Sequence, residues 1–310
     1  MEEIVEFDNF GLINTKTYES KLSHLHALSK RFLVNKFPDK ILNVGDDGKS
    51  IATYRNVDAS KVSFTSPNEK YMGYFSNEKD TIQFLSGDSI KINNISNALP
   101  LIYCTNDKEL IYFMNNAFYV FSVPLNKVIK EIALVNTPEY FHVYGNYILT
   151  FRGSNFMILE WITGTIKIKE INFIEQILDF DLLEEKQLFA LYTKKGISIY
   201  RLTKQYTKIQ KISKYRFNSN KKVNPNQISI HPSGNYVAYS STSGIRIRDI
   251  EMMEDDDALV FSMDGMYTEL AFSLDGSQLY AIGKSEEGYK FLILGDKENV
   301  ESEEDRKSVV

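Results

Sequence analysis

The feature that most constrains this chain is a pattern of short apolar runs that repeats about every 40 residues. Within each run apolar and polar positions alternate, and the runs are rich in Val, Ile, Tyr and Phe. Gly, Asn, Asp, Ser or Pro stand between the runs. A period of two predicts β-strands, and these bounding residues favour turns. The sequence therefore predicts many short strands grouped into similar units, with almost no helix.

Six repeat units are clear, and a seventh is weaker. The starts of the clear units lie 37 to 50 residues apart, at Val62, Leu101, Phe141, Leu178, Ile228 and Leu270. The weaker unit begins at Leu25, which is 37 residues before Val62. This period is typical of four-stranded propeller blades. We therefore expect an all-β fold, a seven-bladed β-propeller of four-stranded antiparallel blades.

The two ends of the chain predict how such a ring closes. The last unit lacks its fourth run, because no apolar alternation follows Leu294, whereas the N-terminal stretches "EIVEF" and "GLINTKTY" look like spare strands. An N-terminal strand that completes the last blade removes a free sheet edge. We expect residues 1–296 to form a single propeller domain. Residues 297–310 contain too little apolar material to fold, so they are expected to form an acidic, flexible tail.

The stretch "ISIHPSGNYVAYSSTSGIRIRDIE", residues 228–251, identifies the type of repeat. It resembles a unit of the WD-repeat β-propeller family: an inner strand, the "HPSG" turn, a second strand, and then "GIRIRDIE". Arg248 and Asp249 stand where the family usually has Trp-Asp. The resemblance extends over about residues 20–295 and is most specific in the units from Ile228 and Leu270, although no unit carries the family's Gly-His pair. It implies a rigid platform that binds other macromolecules.

Composition indicates the compartment. No apolar run reaches the roughly 18 residues that a membrane-spanning helix needs. The start "MEEIVEFDNF" is acidic where a secretory signal is basic and then apolar. The single cysteine, Cys104, excludes an internal disulfide framework and suits a reducing compartment. We expect an intracellular protein, cytoplasmic or nuclear.

The charge distribution is uneven, and it supplies the candidate binding residues. The whole chain has a net charge of −5, yet the 63 residues from Lys186 to Arg248 contain 13 Lys and Arg and no Asp or Glu. In the WD-repeat fold, the loop between the second and third strands and the loop that joins two blades emerge on one face. Both kinds of loop are expected to carry these cations, so a basic face should form from Lys194, Lys195, Lys214, Arg216, Lys221 and Lys222.

Aromatic residues lie between these cations, and they bear on the kind of partner. Tyr215, with Tyr206 and Phe217 nearby, suits base stacking beside phosphate contacts. The charges also fit an acidic protein partner, or a solvated surface without a specific role. The residues alone leave these alternatives open.

The resulting functional prediction is a non-enzymatic scaffold inside the cell, in a multi-subunit complex that handles RNA or chromatin. The basic face is expected to bind partner proteins, RNA or another polyanion. No catalytic residue, metal ligand set or cofactor is expected. Two alternatives stay open: an enzyme whose site lies in the central channel, where Asp179 and Glu269 are the candidates, and a propeller that binds anionic lipids through the basic loops.

Overall fold

The structure is a computed structural model. It describes residues 10–19, 21–27, 31–36, 40–45, 49–55, 63–65, 71–76, 81–85, 89–91, 98–105, 108–173, 175–203, 208–217, 227–241, 244–252, 258–261 and 266–296. The predicted tail, 297–310, and Lys221 and Lys222 lie outside these ranges. The described residues form strands and turns and contain no helix, so the all-β prediction is confirmed.

The strands follow one another in groups of four. The first strand, β1, covers Phe10–Tyr18. Sheet 1 contains β2 (Leu22–Ala27), β3 (Arg31–Lys36), β4 (Lys40–Gly45) and β5 (Ser50–Arg55). Sheet 2 contains β6 (Ser63–Thr65), β7 (Met72–Ser76), β8 (Thr81–Phe84) and β9 (Ser89–Lys91). Sheet 3 contains β10 (Ala98–Thr105), β11 (Glu109–Met114), β12 (Ala117–Ser122) and β13 (Lys127–Ala133).

The second half of the chain continues the same order. Sheet 4 contains β14 (Tyr140–Tyr144), β15 (Tyr147–Arg152), β16 (Asn155–Glu160) and β17 (Thr165–Asn172). Sheet 5 contains β18 (Ile177–Leu183), β19 (Leu188–Thr193), β20 (Gly196–Leu202) and β21 (Ile209–Arg216). Sheet 6 contains β22 (Ile228–Ile230), β23 (Tyr236–Ser241), β24 (Gly244–Asp249) and β25 (Ala258–Phe261). Sheet 7 contains β26 (Met266–Phe272), β27 (Gln278–Ser285), β28 (Gly288–Asp296) and β1.

Each predicted repeat unit coincides with one of these sheets. The first strand of a sheet begins within four residues of the predicted start in every case, for example at Ser63 against Val62 and at Ile228. The turn chemistry also agrees, because the glycines of "HPSG" and "SLDG", Gly234 and Gly276, both have φ of +77°. The sequence period therefore marks the structural unit correctly.

The last sheet combines the two ends of the chain. Strand β1 pairs antiparallel with β28, from Phe10 opposite Asp296 to Tyr18 opposite Tyr289. Phe10 is buried in the core that sheets 6 and 7 share, and Leu12 packs against that core. The N-terminal stretch "GLINTKTY" thus forms the fourth strand that the last repeat unit lacks in its own sequence.

The hydrophobic core lies between the sheets, since one face of each sheet packs on a face of the next. Among the described strands, β2 lies beside both β6 and β26, β10 beside β6 and β14, and β22 beside β18 and β26. Apolar clusters fill every gap between sheets that follow one another in the chain. A further cluster joins sheet 7 to sheet 1, where Tyr280 and Ile293 pack with Leu22 and Val44.

Candidate functional site

The first two predicted cations lie in the turn between β19 and β20. Lys194 and Lys195 are both exposed, and Gly196 follows them at the start of β20. Gly196 has φ of +154°, and a Cβ atom at this position would lie 1.9 Å from the carbonyl oxygen of Tyr215. The glycine is therefore needed for β21 to approach the turn, and this approach brings the end of β21 next to the two lysines.

The next predicted residues lie on a strand, which corrects the expectation that they occupy a loop between blades. Lys214, Tyr215 and Arg216 are the last three residues of β21. They pair with Ser198, Ile197 and Gly196 on β20, and the amide of Phe217 donates to the carbonyl of Lys195 at 2.9 Å. Strand β21 extends to Arg216 although these residues are polar, because β20 pairs with it as far as Gly196.

A third cation on β21, Lys211, joins this surface, although sequence reasoning missed it. Side chains alternate along a strand, so an odd-numbered residue normally faces away from Lys214 and Arg216. Here the register shifts by one residue between Ile199 and Tyr200, which leaves Lys211 opposite Tyr200 and Lys214 opposite Ser198. The three cations therefore share one face of β21. We call the set Lys194, Lys195, Lys211, Lys214 and Arg216 the basic rim.

The electrostatics of the basic rim are unbalanced. Burial lowers the pKa of Lys211, and the neighbouring charges of Lys214 and Arg216 lower it further. Among the described residues, Lys195 of the basic rim forms an ion pair with Glu175, with 3.5 Å between Nζ and Oε1. Lys211, Lys214 and Arg216 have no such partner among those residues. Like charges held this close together favour an anionic ligand.

Tyr215 does not share the face of the cations. Its side chain points to the opposite side of β21, where the guanidinium of Arg248 lies 3.6 Å from the centroid of its ring. The ring of Phe217 meets Tyr215 edge-on at 5.6 Å and also contacts Tyr192 and Tyr239. Both aromatic residues are therefore partly buried and pack against the core between sheets 5 and 6. The expected alternation of cations and stacking rings on one surface is wrong for these two residues, and Tyr206 lies outside the described residues.

The residues at the Trp-Asp position of the family have structural contacts. Arg248 is 4% exposed and lies under the ring of Tyr215, so it joins sheet 6 to sheet 5. The carboxylate of Asp249 accepts hydrogen bonds from the amides of Glu251 and Met252, at 2.7 and 3.2 Å. Asp249 thus ends β24 and starts the turn that follows.

The carboxylates on the inner strands bind the neighbouring sheet. Asp179 accepts a hydrogen bond from the amide of Ile228 at 2.8 Å, and Asp181 accepts one from the amide of Ile230 at 2.6 Å. Burial raises the pKa of Asp179 well above its usual range, and the charges of Asp181 and Glu269 raise it further. Burial also raises the pKa of Asp181. These contacts give Asp179 a structural role between β18 and β22.

His231 also connects two sheets. Its Nδ1 accepts from the amide of Ser233 at 3.1 Å, so the proton of the neutral ring is on Nε2, which donates to the carbonyl of Gly276 at 3.0 Å. A Cβ atom at Gly276 would lie 2.4 Å from this Nε2. The "HPSG" and "SLDG" turns are therefore held in contact by the hydrogen bond of His231 and by the absence of a side chain at Gly276. Burial lowers the pKa of His231.

The described residues contain no group of three or more His, Cys, Asp or Glu side chains that could hold a metal ion. His24 and His26 lie on β2, but their side chains are outside the description. No described helix is long and apolar enough to cross a membrane.

Comparison with solved structures identifies the architecture. No protein-family model and no curated protein matches this sequence. The β-propeller domain of Cps50 (Swd1) from Myceliophteria thermophila superimposes with a TM-score of 0.71, over 92% of this chain and 99% of that one, at 10% identity. This chain has the WD40 β-propeller fold. The structure of U3-55K gives a TM-score of 0.72 at the same coverage and identity. The WD40 repeats of RRP9 give 0.68 over 93% and 99%, also at 10% identity.

Proposed function

We propose that this chain is a non-enzymatic scaffold of the WD-repeat type, which holds partner proteins in an intracellular complex that handles RNA or chromatin. The observation that carries the proposal is the basic rim, where among the described residues only Lys195 has an ion-pair partner, on a protein whose net charge is −5. The similar solved structures, U3-55K and RRP9 among them, share a fold with this chain and identify no partner.

The proposed architecture is one ring of seven blades, closed by β1. Three observations support it: each described sheet packs on the next, sheet 7 packs on sheet 1, and β1 pairs with β28. A closed ring packs each sheet between two neighbouring sheets and holds its turns and outer strands in fixed positions. The basic rim is then a rigid, preformed surface, which lowers the entropy cost of binding.

The ligand of the basic rim is an acidic protein segment in this proposal. Nucleic-acid recognition by stacking needs aromatic rings beside the cations, whereas Tyr215 and Phe217 pack against the core between sheets 5 and 6 on the other side of β21. Charge attraction alone does not need such rings. Lys221 and Lys222 follow Arg216 closely in sequence and are proposed to extend the same surface.

The alternative that this chain is an enzyme with a site in the central channel is less well supported, because its candidate carboxylate already has backbone partners. A catalytic carboxylate in the channel must reach a substrate, while the carboxylates of Asp179 and Asp181 already accept backbone hydrogen bonds from β22. Their removal is thus expected to change stability first. The lipid alternative shares the cations of the basic rim and is separated from the leading proposal by experiment.

The test is affinity purification of the tagged chain from native extract, with and without nuclease. The scaffold proposal predicts a reproducible set of co-purifying proteins that survives nuclease treatment and is lost when Lys214 and Arg216 are changed to Glu. Partners that disappear with nuclease alone would make RNA or DNA the ligand instead. Recovery on vesicles of anionic lipid, with no protein partner, would favour the lipid alternative.

A further inference from the structure

Strand β21 is the outermost strand of its sheet. The order in sheet 5 is β18, β19, β20, β21, so one edge of β21 pairs with β20 and no described strand lies along the other. The strand is eight residues long and ends in the basic rim. An edge strand of this length offers unpaired amides and carbonyls to a second chain.

The backbone orientation of β21 can be read from its register. The amide of Phe217 points toward β20, because it donates to the carbonyl of Lys195. Backbone groups alternate in direction along a strand, so the amides and carbonyls of Tyr215 also point toward β20 and those of Lys214 and Arg216 point outward. The free edge and the cation side chains thus belong to the same residues.

Other outer strands balance their lysines differently. On β17, Lys167 forms an ion pair with Glu160 at 3.3 Å. On β13, Lys130 donates a hydrogen bond to the carbonyl of Ile162, and Glu131 follows it directly. Lysines on an edge strand disfavour pairing there, because an apolar strand would desolvate their charges and a basic strand would repel them. Strand β21 itself contains no Asp or Glu, and its cations have no ion-pair partner among the described residues, so the same residues select an acidic strand.

We propose that β21 is a docking edge for an extended acidic segment of a partner protein, which adds to sheet 5 as a fifth strand. Residues on one face of an added strand recur at every second position, as do Lys214 and Arg216. The segment therefore carries Asp or Glu at alternate positions, with its carboxylates opposite the cations. This inference rests on the proposed function, because it assumes that the basic rim binds a protein.

The probe is a fluorescein-labelled peptide of alternating Thr and Glu, as long as the eight residues of β21. Its binding to the full chain is followed by fluorescence anisotropy. The matched peptide has the same sequence with every second backbone amide N-methylated, which removes hydrogen-bond donors and keeps the charge. We expect the methylated peptide to bind at least about tenfold more weakly, since several backbone hydrogen bonds are lost.

A matched pair of protein variants tests the other side of the interface. Lys214→Ala and Lys214→Pro remove the same charge, but only the proline removes the outward amide, and an edge strand tolerates proline at such a position. Strand addition predicts that Lys214→Pro binds about two- to tenfold more weakly than Lys214→Ala, the effect of one hydrogen bond. Circular dichroism melting confirms that both variants are folded.

The outcomes separate this inference from the proposed function. Equal binding of the methylated and unmethylated peptides would overturn strand addition and leave an acidic partner in place. Binding of single-stranded RNA with no binding of either peptide would overturn both the strand addition and the protein partner.

Discussion

The guanidinium of Arg248 lies 3.6 Å from the ring centroid of Tyr215, and this contact joins the third strand of sheet 6 to the outer strand of sheet 5. Arg248 is 4% exposed, so its charge is removed from water and the ring face is its partner on that side. A desolvated cation–π contact contributes about 2 kcal/mol. The contact also holds Tyr215 against the core, on the side of β21 opposite the basic rim.

The first prediction concerns this ring. Changing Tyr215 to Leu removes the electron-rich face below a buried cation, and we expect the free energy of unfolding to fall by about 2 kcal/mol. Tyr215→Phe keeps the ring and is the control, with a change of less than about 0.5 kcal/mol. Urea denaturation at neutral pH measures the free energy of unfolding of both variants. Equal stability of the Leu and Phe variants would show that the ring face does not stabilise Arg248.

The second prediction concerns Asp179. Its raised pKa means that its contribution to stability is complete below pH about 3.8 and is lost as the pH rises through the pKa of the folded state. Asp179→Asn keeps an oxygen acceptor for the amide of Ile228 without the buried charge, so we expect it to be at least as stable as the parent at pH 7. Asp179→Ala leaves that amide without its acceptor and should cost about 1–3 kcal/mol. Urea denaturation measures the free energy of unfolding of both variants. If Asp179→Asn were as unstable as Asp179→Ala, this explanation would be contradicted.

The sequence predicted much of the fold but less of the site. Alternation and turn residues are local properties, which is why the repeat starts and the glycines at 234 and 276 were predicted correctly. The position of a side chain on a face depends on register. The bulge opposite Ile199 and Tyr200 brings Lys211 beside Lys214, and the pairing of Arg216 with Gly196 turns a predicted loop into strand. Neither the bulge nor the pairing of Arg216 can be predicted from residue types alone.

The position of Arg248 also could not be predicted from the sequence, in this case because the residue is buried where a charged side chain is expected at the surface. An arginine between apolar residues on a strand is expected to face solvent, and the sequence does not indicate that it contacts a tyrosine more than thirty residues earlier. Tyr215 was predicted as a surface ring because it lies between the cations Lys214 and Arg216 in a stretch expected to be a loop. Both residues are positioned by the packing of two sheets, which the order of residues along one strand does not specify.

The third prediction is a pH effect at His231. Burial lowers the pKa of this histidine, so the unfolded chain takes up a proton more readily than the folded one as the pH falls below about 6.5. Its contribution is therefore complete above pH about 6.5 and is lost at lower pH. His231→Gln should reduce the slope of unfolding free energy against pH, measured from pH 7.5 to 5, by up to about 1.4 kcal/mol per unit. His142, whose pKa burial lowers to about 4, is present in both proteins and cancels in the difference. An unchanged slope would mean that His231 is not a buried neutral group.

The fourth prediction tests closure by the N-terminal strand. Deleting residues 2–20 removes β1 and leaves the edge of β28 unpaired, along with the buried contacts of Phe10. We expect a loss of several kcal/mol and a tendency to aggregate through the exposed edge. Deleting only residues 2–9, which precede β1, is the control and should leave the melting temperature unchanged. If both deletions melt at the parental temperature, β1 does not close the ring.

The measurement that tests the central claim most directly is a titration of the full chain with an acidic peptide, single-stranded RNA and double-stranded DNA at two salt concentrations. The variant changes Lys214 and Arg216 to Glu. The control changes two exposed lysines to Glu, Lys108 in the turn before β11 and Lys127 on β13, with the same change in net charge. We expect the acidic peptide to bind the parent and the control more tightly at low salt than at high salt, and the basic-rim variant to lose most of that binding while its melting temperature stays unchanged. Equal loss in the two variants, or no binding of any of the three ligands near physiological salt, would contradict the assignment of the basic rim as the partner-binding surface.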